Sequence, residues 1–173
     1  TTILQENNLE LKFNTSWEIN ERHYGSLTGL NKEETKKKIG EEQFKKYRRS
    51  WDVAPPPWKE ENNSSLFSPL NANIPIGMIP FTESLKDTYN RVIPYYEKEI
   101  KKQIQENKNV LISAHGNSLR ALCKYLFKIS DKKINKLEIP TGNPLVVEFD
   151  KNLVVKKYYY LDQGRAKKII FSQ

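Results

Sequence analysis

Asn109-Val110-Leu111-Ile112-Ser113-Ala114-His115-Gly116-Asn117-Ser118-Leu119-Arg120 is the stretch on which the fold class turns. Val110 to Ala114 is short, apolar and rich in β-branched residues, with Lys108 before it and Gly116 after it, which is the pattern of a central parallel strand. Ser118 to Phe127 then spaces its apolar residues as a helix does. His115 therefore falls at the carboxyl end of a strand and beside a helix N-terminus. Open α/β sheets bind ligands there, and the unpaired N–H groups of a helix start attract anions. The position suggests phosphate handling. A lone histidine after a strand is more often structural than functional, so the reading needs a second segment.

That segment is Asn20-Glu21-Arg22-His23-Tyr24-Gly25-Ser26-Leu27-Thr28-Gly29-Leu30-Asn31-Lys32. It holds an acid, three basic side chains, a phenol and two glycines, with little hydrophobic periodicity, as a binding loop would. Asn31 followed by Glu34 also fits a capped helix start. Capping accounts for Asn31 and leaves Glu21, Arg22 and Tyr24 unexplained.

Working outward, helices are expected at Lys32 to Lys38, Glu41 to Trp51, Glu83 to Gln105, Ser118 to Lys128 and Lys132 to Lys136, with Gly40 and Pro55 to Pro57 as breakers. Leu85, Tyr89, Val92, Tyr96 and Ile100 form the apolar stripe of the long helix, which Pro94 should kink. Strands are expected at Leu11 to Phe13, Val110 to Ala114, Leu145 to Phe149 and Val154 to Tyr160, the last pair closed by Asp150-Lys151-Asn152. Pro55 to Pro80 reads as a long proline-rich loop inside one domain.

Composition narrows the class. The 173 residues are 37% hydrophobic and 29% charged, as expected of one domain spanning 1–173 with a real core. No apolar run reaches membrane-spanning length, and the one cysteine, Cys123, rules out a disulfide framework; a cytoplasmic setting is expected. Two histidines and one cysteine in unrelated segments fit no metal-ligand spacing, so no metal is expected. The net charge of +8 is spread over short lysine runs with no nucleic-acid module around them. In Lys45-Lys46-Tyr47-Arg48-Arg49-Ser50-Trp51, the aromatics suit a buried helix stripe and the two arginines a small-anion site.

The two quoted segments, together with Tyr47-Arg48-Arg49-Ser50, Pro55-Pro56-Pro57, Thr82-Glu83-Ser84-Leu85-Lys86-Asp87-Thr88 and Ile139-Pro140-Thr141-Gly142, resemble the cofactor-dependent phosphoglycerate mutases of the histidine phosphatase superfamily. The likeness runs in order from Thr15 to Leu161. It implies an α/β fold: a three-layer, doubly wound, mostly parallel sheet with helices on both faces. It also implies interconversion of 3- and 2-phosphoglycerate through a phosphohistidine primed by 2,3-bisphosphoglycerate. Glu21 matches the general acid/base, and His115 the second histidine, which supports the transferring phosphoryl group. Arg22, Tyr24, Lys32, Arg48, Arg49, Gly116 and Asn117 match substrate-binding positions, whereas His23 is expected to be structural.

One departure stands beside the match. The family's nucleophile lies in an Arg-His-Gly motif after the first strand, and that tripeptide does not occur in these 173 residues. Thr1 to Glu10 reads as the end of a helix and a turn. The N-terminal part of the fold is thus expected to be missing from this sequence, and the chain alone to be inactive and poorly folded. Alternatives of the same superfamily are a bisphosphoglycerate mutase or a phosphatase. Another is a non-catalytic phosphometabolite-binding module. The expected partners are a small phosphorylated substrate and further copies of the chain, as a dimer or tetramer, with neither nucleic acid nor membrane.

Overall fold

The computed structural model describes residues 12–59, 74–75 and 77–166, together with Glu6. The expectation for Thr1 to Glu10 falls outside them except at Glu6, which is helical. Most of the proline-rich loop also lies outside.

Helix α1, Lys32–Ile39, starts where expected because Asn31 Oδ1 accepts from the N–H groups of Glu33 and Glu34, at 2.9 and 3.2 Å. Gly40, at φ +83°, ends α1 and opens α2, Glu41–Arg49. The expected helix from Glu83 to Gln105 begins later, at Leu85. Ser84 caps it through a complete capping box with Asp87.

The long helix does not break at Pro94. It runs as α3, Leu85–Tyr95, then a wide π turn, Tyr96–Ile100, then α4, Lys101–Gln105. Proline offers no N–H and crowds the preceding turn, and the widened turn just after it relieves that conflict while the helix continues. Helices α5, Gly116–Leu126, and α6, Asp131–Ile134, follow.

The core is the packing of α3 on α5. Leu85, Val92, Tyr96 and Ile100 of the anticipated stripe are buried against Ala121, Leu122 and Cys123, with Ile129, Ile134 and Leu137 closing one side. Tyr89 is half-buried and meets Trp51 edge-on at 5.4 Å. Burial pushes the Cys123 thiol up to about 12, so it behaves as a small apolar side chain. Of the aromatics in α2 and just after it, Trp51 packs on the core, whereas Phe44 lies beneath the Arg48 guanidinium at 5.5 Å.

The sheet differs most from expectation. Among the described residues it has two strands, β1, Leu145–Phe149, and β2, Val155–Tyr160, paired antiparallel from Leu145↔Tyr160 to Phe149↔Val155. Asp150 Oδ1 closes their hairpin by accepting from the N–H groups of Asn152 and Val154. Lys12 and Phe13 lie in no strand, and Leu11 is outside the described residues. Val110 to Ala114 makes no ladder either. Leu111 stands 81% exposed. A strand exists only through a neighbour's hydrogen bonds, and no described residue pairs with this segment in a ladder. The β-rich composition records a preference that this set of residues does not satisfy.

Candidate active site

Residues 20–24 lie between two short turns, Trp17–Ile19 and Gly25–Leu27, so their shape comes from bonds to other elements. Arg91 of α3 supplies many of them. Its guanidinium forks onto Glu83, Nε donating to Oε1 at 2.6 Å and Nη2 to Oε2 at 3.0 Å. It also donates to the carbonyls of Glu18, Asn20 and Glu21 at 2.5, 3.0 and 3.2 Å. Glu83 accepts from the His23 N–H at 2.7 Å, and its own N–H donates back to the His23 carbonyl at 2.9 Å. Glu83 is buried, Arg91 is largely so, and both are hydrogen-bonded further, the condition under which a buried ion pair can be tolerated.

Gly25 locks the other end of the loop. It adopts φ +55°, and a Cβ there would lie 2.1 Å from the Pro56 carbonyl oxygen, which accepts from the Ser26 N–H. The Gly25 N–H donates to His23 Nδ1 at 3.0 Å. Burial lowers the His23 pKa, against smaller opposing effects of the Glu83 charge and a hydrogen bond to the Phe81 backbone. His23 is therefore a neutral acceptor, the structural role expected of it.

On this frame the two motifs meet, although 96 positions separate Glu21 from Asn117. Asn117 Nδ2 donates to Glu21 Oε1 at 2.7 Å and to the Tyr24 hydroxyl at 2.8 Å. Ser118 Oγ donates to the Asn20 carbonyl at 2.5 Å. Glu21 Oε1 accepts a second bond from the Arg22 N–H at 2.8 Å, while Oε2 lies 3.9 Å from His115 Nδ1. The carboxylate thus has one committed oxygen and one facing the imidazole. His115 is the N-cap of α5, its side chain makes no capping bond, and it is exposed. Nothing described lies where a Cβ on Gly116 would fall, so the backbone at the helix start is open to an anion.

Two arginines lie against Tyr24 beside this point. Arg22 is 2% exposed and donates through Nη2 to the carbonyls of Tyr47 and Arg48 at the end of α2, yet its Nε and Nη1 find no partner among the described residues. Tyr24 lies between two guanidinium groups, with Arg22 at 4.6 Å and Arg48 at 4.8 Å from its ring centre. Arg49 is turned toward Glu138, at 3.4 Å. Lys32 sits exposed at the start of α1, and its side chain bonds to none of the other expected site residues. A cleft of about 500 Å³ between Tyr89, Tyr96, Lys124, Tyr125 and Val154 contains none of these residues. Among the described residues, no group of three or more His, Cys, Asp or Glu side chains could hold a metal ion.

Over residues 1–160 the sequence matches the family model described as "Histidine phosphatase superfamily (branch 1)". The chain belongs to the histidine phosphatase superfamily. It is 52% identical over 159 residues to a 2,3-bisphosphoglycerate-dependent phosphoglycerate mutase of Pelagibacter ubique, covering 90% of this chain and 66% of that protein. It is also 52% identical to the enzymes of that name from Treponema denticola, covering 87% and 62%, and Zymomonas mobilis, covering 85% and 64%. The chain therefore spans a little under two thirds of the length of these relatives.

In this histidine phosphatase superfamily chain, the structure brings together Glu21, Arg22, Tyr24, His115 and Asn117, with Arg48 stacked on Tyr24. It leaves Lys32 and Arg49 at the margin. Sequence reasoning missed Glu83, Arg91 and Arg120. The first two lie eight residues apart, beyond helical-neighbour spacing. Arg120, three residues after Asn117 on α5, was open to discovery from helical spacing alone.

Proposed function

We propose that this chain carries the substrate cradle and the acid/base group of a phosphoglycerate mutase that interconverts 3- and 2-phosphoglycerate. The observation that carries the reading is the Asn117 bridge, which sets one oxygen of Glu21 free, beside His115 and next to a tyrosine flanked by Arg22 and Arg48. The names of the relatives support the choice of substrate. Phosphoryl transfer needs positioning and charge stabilisation more than covalent machinery, which is what these residues offer.

Arg22 and Arg48 hold the substrate's carboxylate and phosphate, with Arg49 and Lys32 joining at the rim. His115 and the open backbone at Gly116 and Asn117 face the oxygens of the moving phosphoryl group. Glu21 Oε2 takes the proton of the attacking hydroxyl and returns it to the leaving one. The unpartnered buried N–H groups of Arg22 fit a polyanion such as 2,3-bisphosphoglycerate. When bound, that compound supplies the phosphoryl group which primes the enzyme.

The carrier histidine belongs to an Arg-His-Gly motif that these 173 residues do not contain. His23 is committed to Gly25 and does not serve as carrier. In the whole protein we place Val110 to Ala114 and the β1–β2 hairpin in one three-layer sheet of a single domain. We assign that protein to the cytoplasm, as a dimer or tetramer that works without a metal. No described helix is long and apolar enough to cross a membrane.

The test is turnover. Joined to an Arg-His-Gly segment of the superfamily and primed with 2,3-bisphosphoglycerate, the chain is expected to convert 3- to 2-phosphoglycerate in an enolase-coupled assay. Release of inorganic phosphate without isomerisation would move the reading to a phosphatase.

A further inference from the structure

Arg120 is 4% exposed on α5, and its two described hydrogen bonds go to neutral oxygens. Nη2 donates to the Ile134 carbonyl at 2.6 Å, and Nη1 donates to Asn117 Oδ1 at 3.0 Å. Burial, with Arg49 and Arg22 close by, pulls its pKa down to about 10, with Tyr24 and Glu21 opposing. A buried guanidinium in such company is costly, and an apolar side chain would fill the same space at less expense. The bond to Asn117 explains why a cation stands here.

The two ends of a carboxamide have nearly the same shape and opposite hydrogen-bonding character. Turned one way, Asn117 gives its N–H groups to Glu21 and Tyr24; turned the other, its oxygen would meet the Glu21 carboxylate. Arg120 has donors only, so it accepts nothing from Asn117 and can bond only to the oxygen. Its own place is fixed by Ile134, which α6 brings into the core with 0% exposure.

We propose that Arg120 is a positioning residue for proton transfer. Its bond to Asn117 Oδ1 forces both amide N–H groups toward Glu21 Oε1 and Tyr24, and so reserves Glu21 Oε2 for the substrate hydroxyl. The proposal rests on the mutase reading for its consequence in turnover, but its structural half is independent of that reading. The relay runs Ile134 carbonyl, Arg120, Asn117, Glu21, with the last bond reaching across to the other motif.

Two readouts test it. In the completed enzyme without ligand, the side-chain amide of Asn117 is followed by ¹⁵N–¹H correlation and assigned by its loss in Asn117→Asp. The wild type is expected to show two separated, slowly exchanging protons, which Arg120→Met collapses toward solvent-exposed values. In the turnover assay of the completed enzyme, Arg120→Met is expected to lower kcat about 10-fold or more, the scale of one hydrogen bond to a charged group. KM should stay within about twofold, because Arg22 and Arg48 are untouched.

Arg120→Lys keeps a donor-only cation and is expected to restore part of both signals. If Arg120→Met does not fold, Arg120→Lys decides alone, through an intermediate amide spectrum and kcat. Unchanged amide protons in the folded variant overturn the proposal, as does a loss confined to KM. A wild type that shows the amide signature but no phosphoglycerate turnover sinks the mutase reading and leaves the relay standing.

Discussion

Glu21 and His23 show how neighbouring side chains acquire different work from their surroundings. Asn117 and the Arg22 N–H commit one oxygen of Glu21 and leave the other toward His115. In the completed enzyme, Glu21→Gln keeps the shape and loses the proton shuttle, so kcat should fall on the order of 100-fold or more while substrate affinity is little changed. Coupled turnover and calorimetry separate the two effects. For His23, burial holds the native pKa below the ordinary value of about 6.5. Between those two values the unfolded chain binds more protons, so stability rises with pH. The contribution is complete above about 6.5 and is lost as pH falls toward the native value. Thermal melts from about pH 7.5 to 5.5 should therefore show Tm declining on acidification, and His23→Asn, which keeps an acceptor for Gly25, should flatten that slope. A wild-type Tm that holds steady across the same interval would contradict the assignment.

Among elements, α3 does two jobs, since one face makes the core with α5 and Arg91 on another holds the loop carrying Glu21. Removing one member of a buried ion pair leaves the other uncompensated, so Arg91→Met should cost about 3–5 kcal/mol in a denaturant titration. It should also weaken anion binding, because the loop at residues 17–23 loses its anchor. A loss under about 1 kcal/mol would mean that the Arg91–Glu83 pair is marginal, as exposed pairs are. The same elements show what a sequence can disclose. Helices α1, α2, α3 and α5 and the β1–β2 hairpin were legible because caps, stripes and turns are encoded within a few residues. The motifs singled out Glu21, Arg22, Tyr24 and His115, and the structure places these four side by side. The ladder expected at Val110 to Ala114 was not, because a strand's partner is set by distant chain. The Asn117–Glu21 bond was hidden for the same reason, and the π turn after Pro94 reflects a compromise between a missing donor and continuous core packing.

In the molecule as a whole, a net charge of +8 is dispersed over short lysine runs, while Arg22 and Arg48 flank Tyr24 and Arg22 and Arg49 lie close to Arg120. Arg22 and Arg120 are buried and Arg48 is half-buried, and like charges in such places are tolerable when an anion completes them, which makes binding the property most central to the account. The direct measurement is calorimetric titration of the completed enzyme with 3-phosphoglycerate, with glycerate as the control. We expect saturable one-site binding of 3-phosphoglycerate that weakens with added salt and falls about 10-fold or more in Arg48→Gln, with glycerate bound far more weakly. A folded chain that fails to bind 3-phosphoglycerate, or that binds it no better than glycerate, would contradict the account.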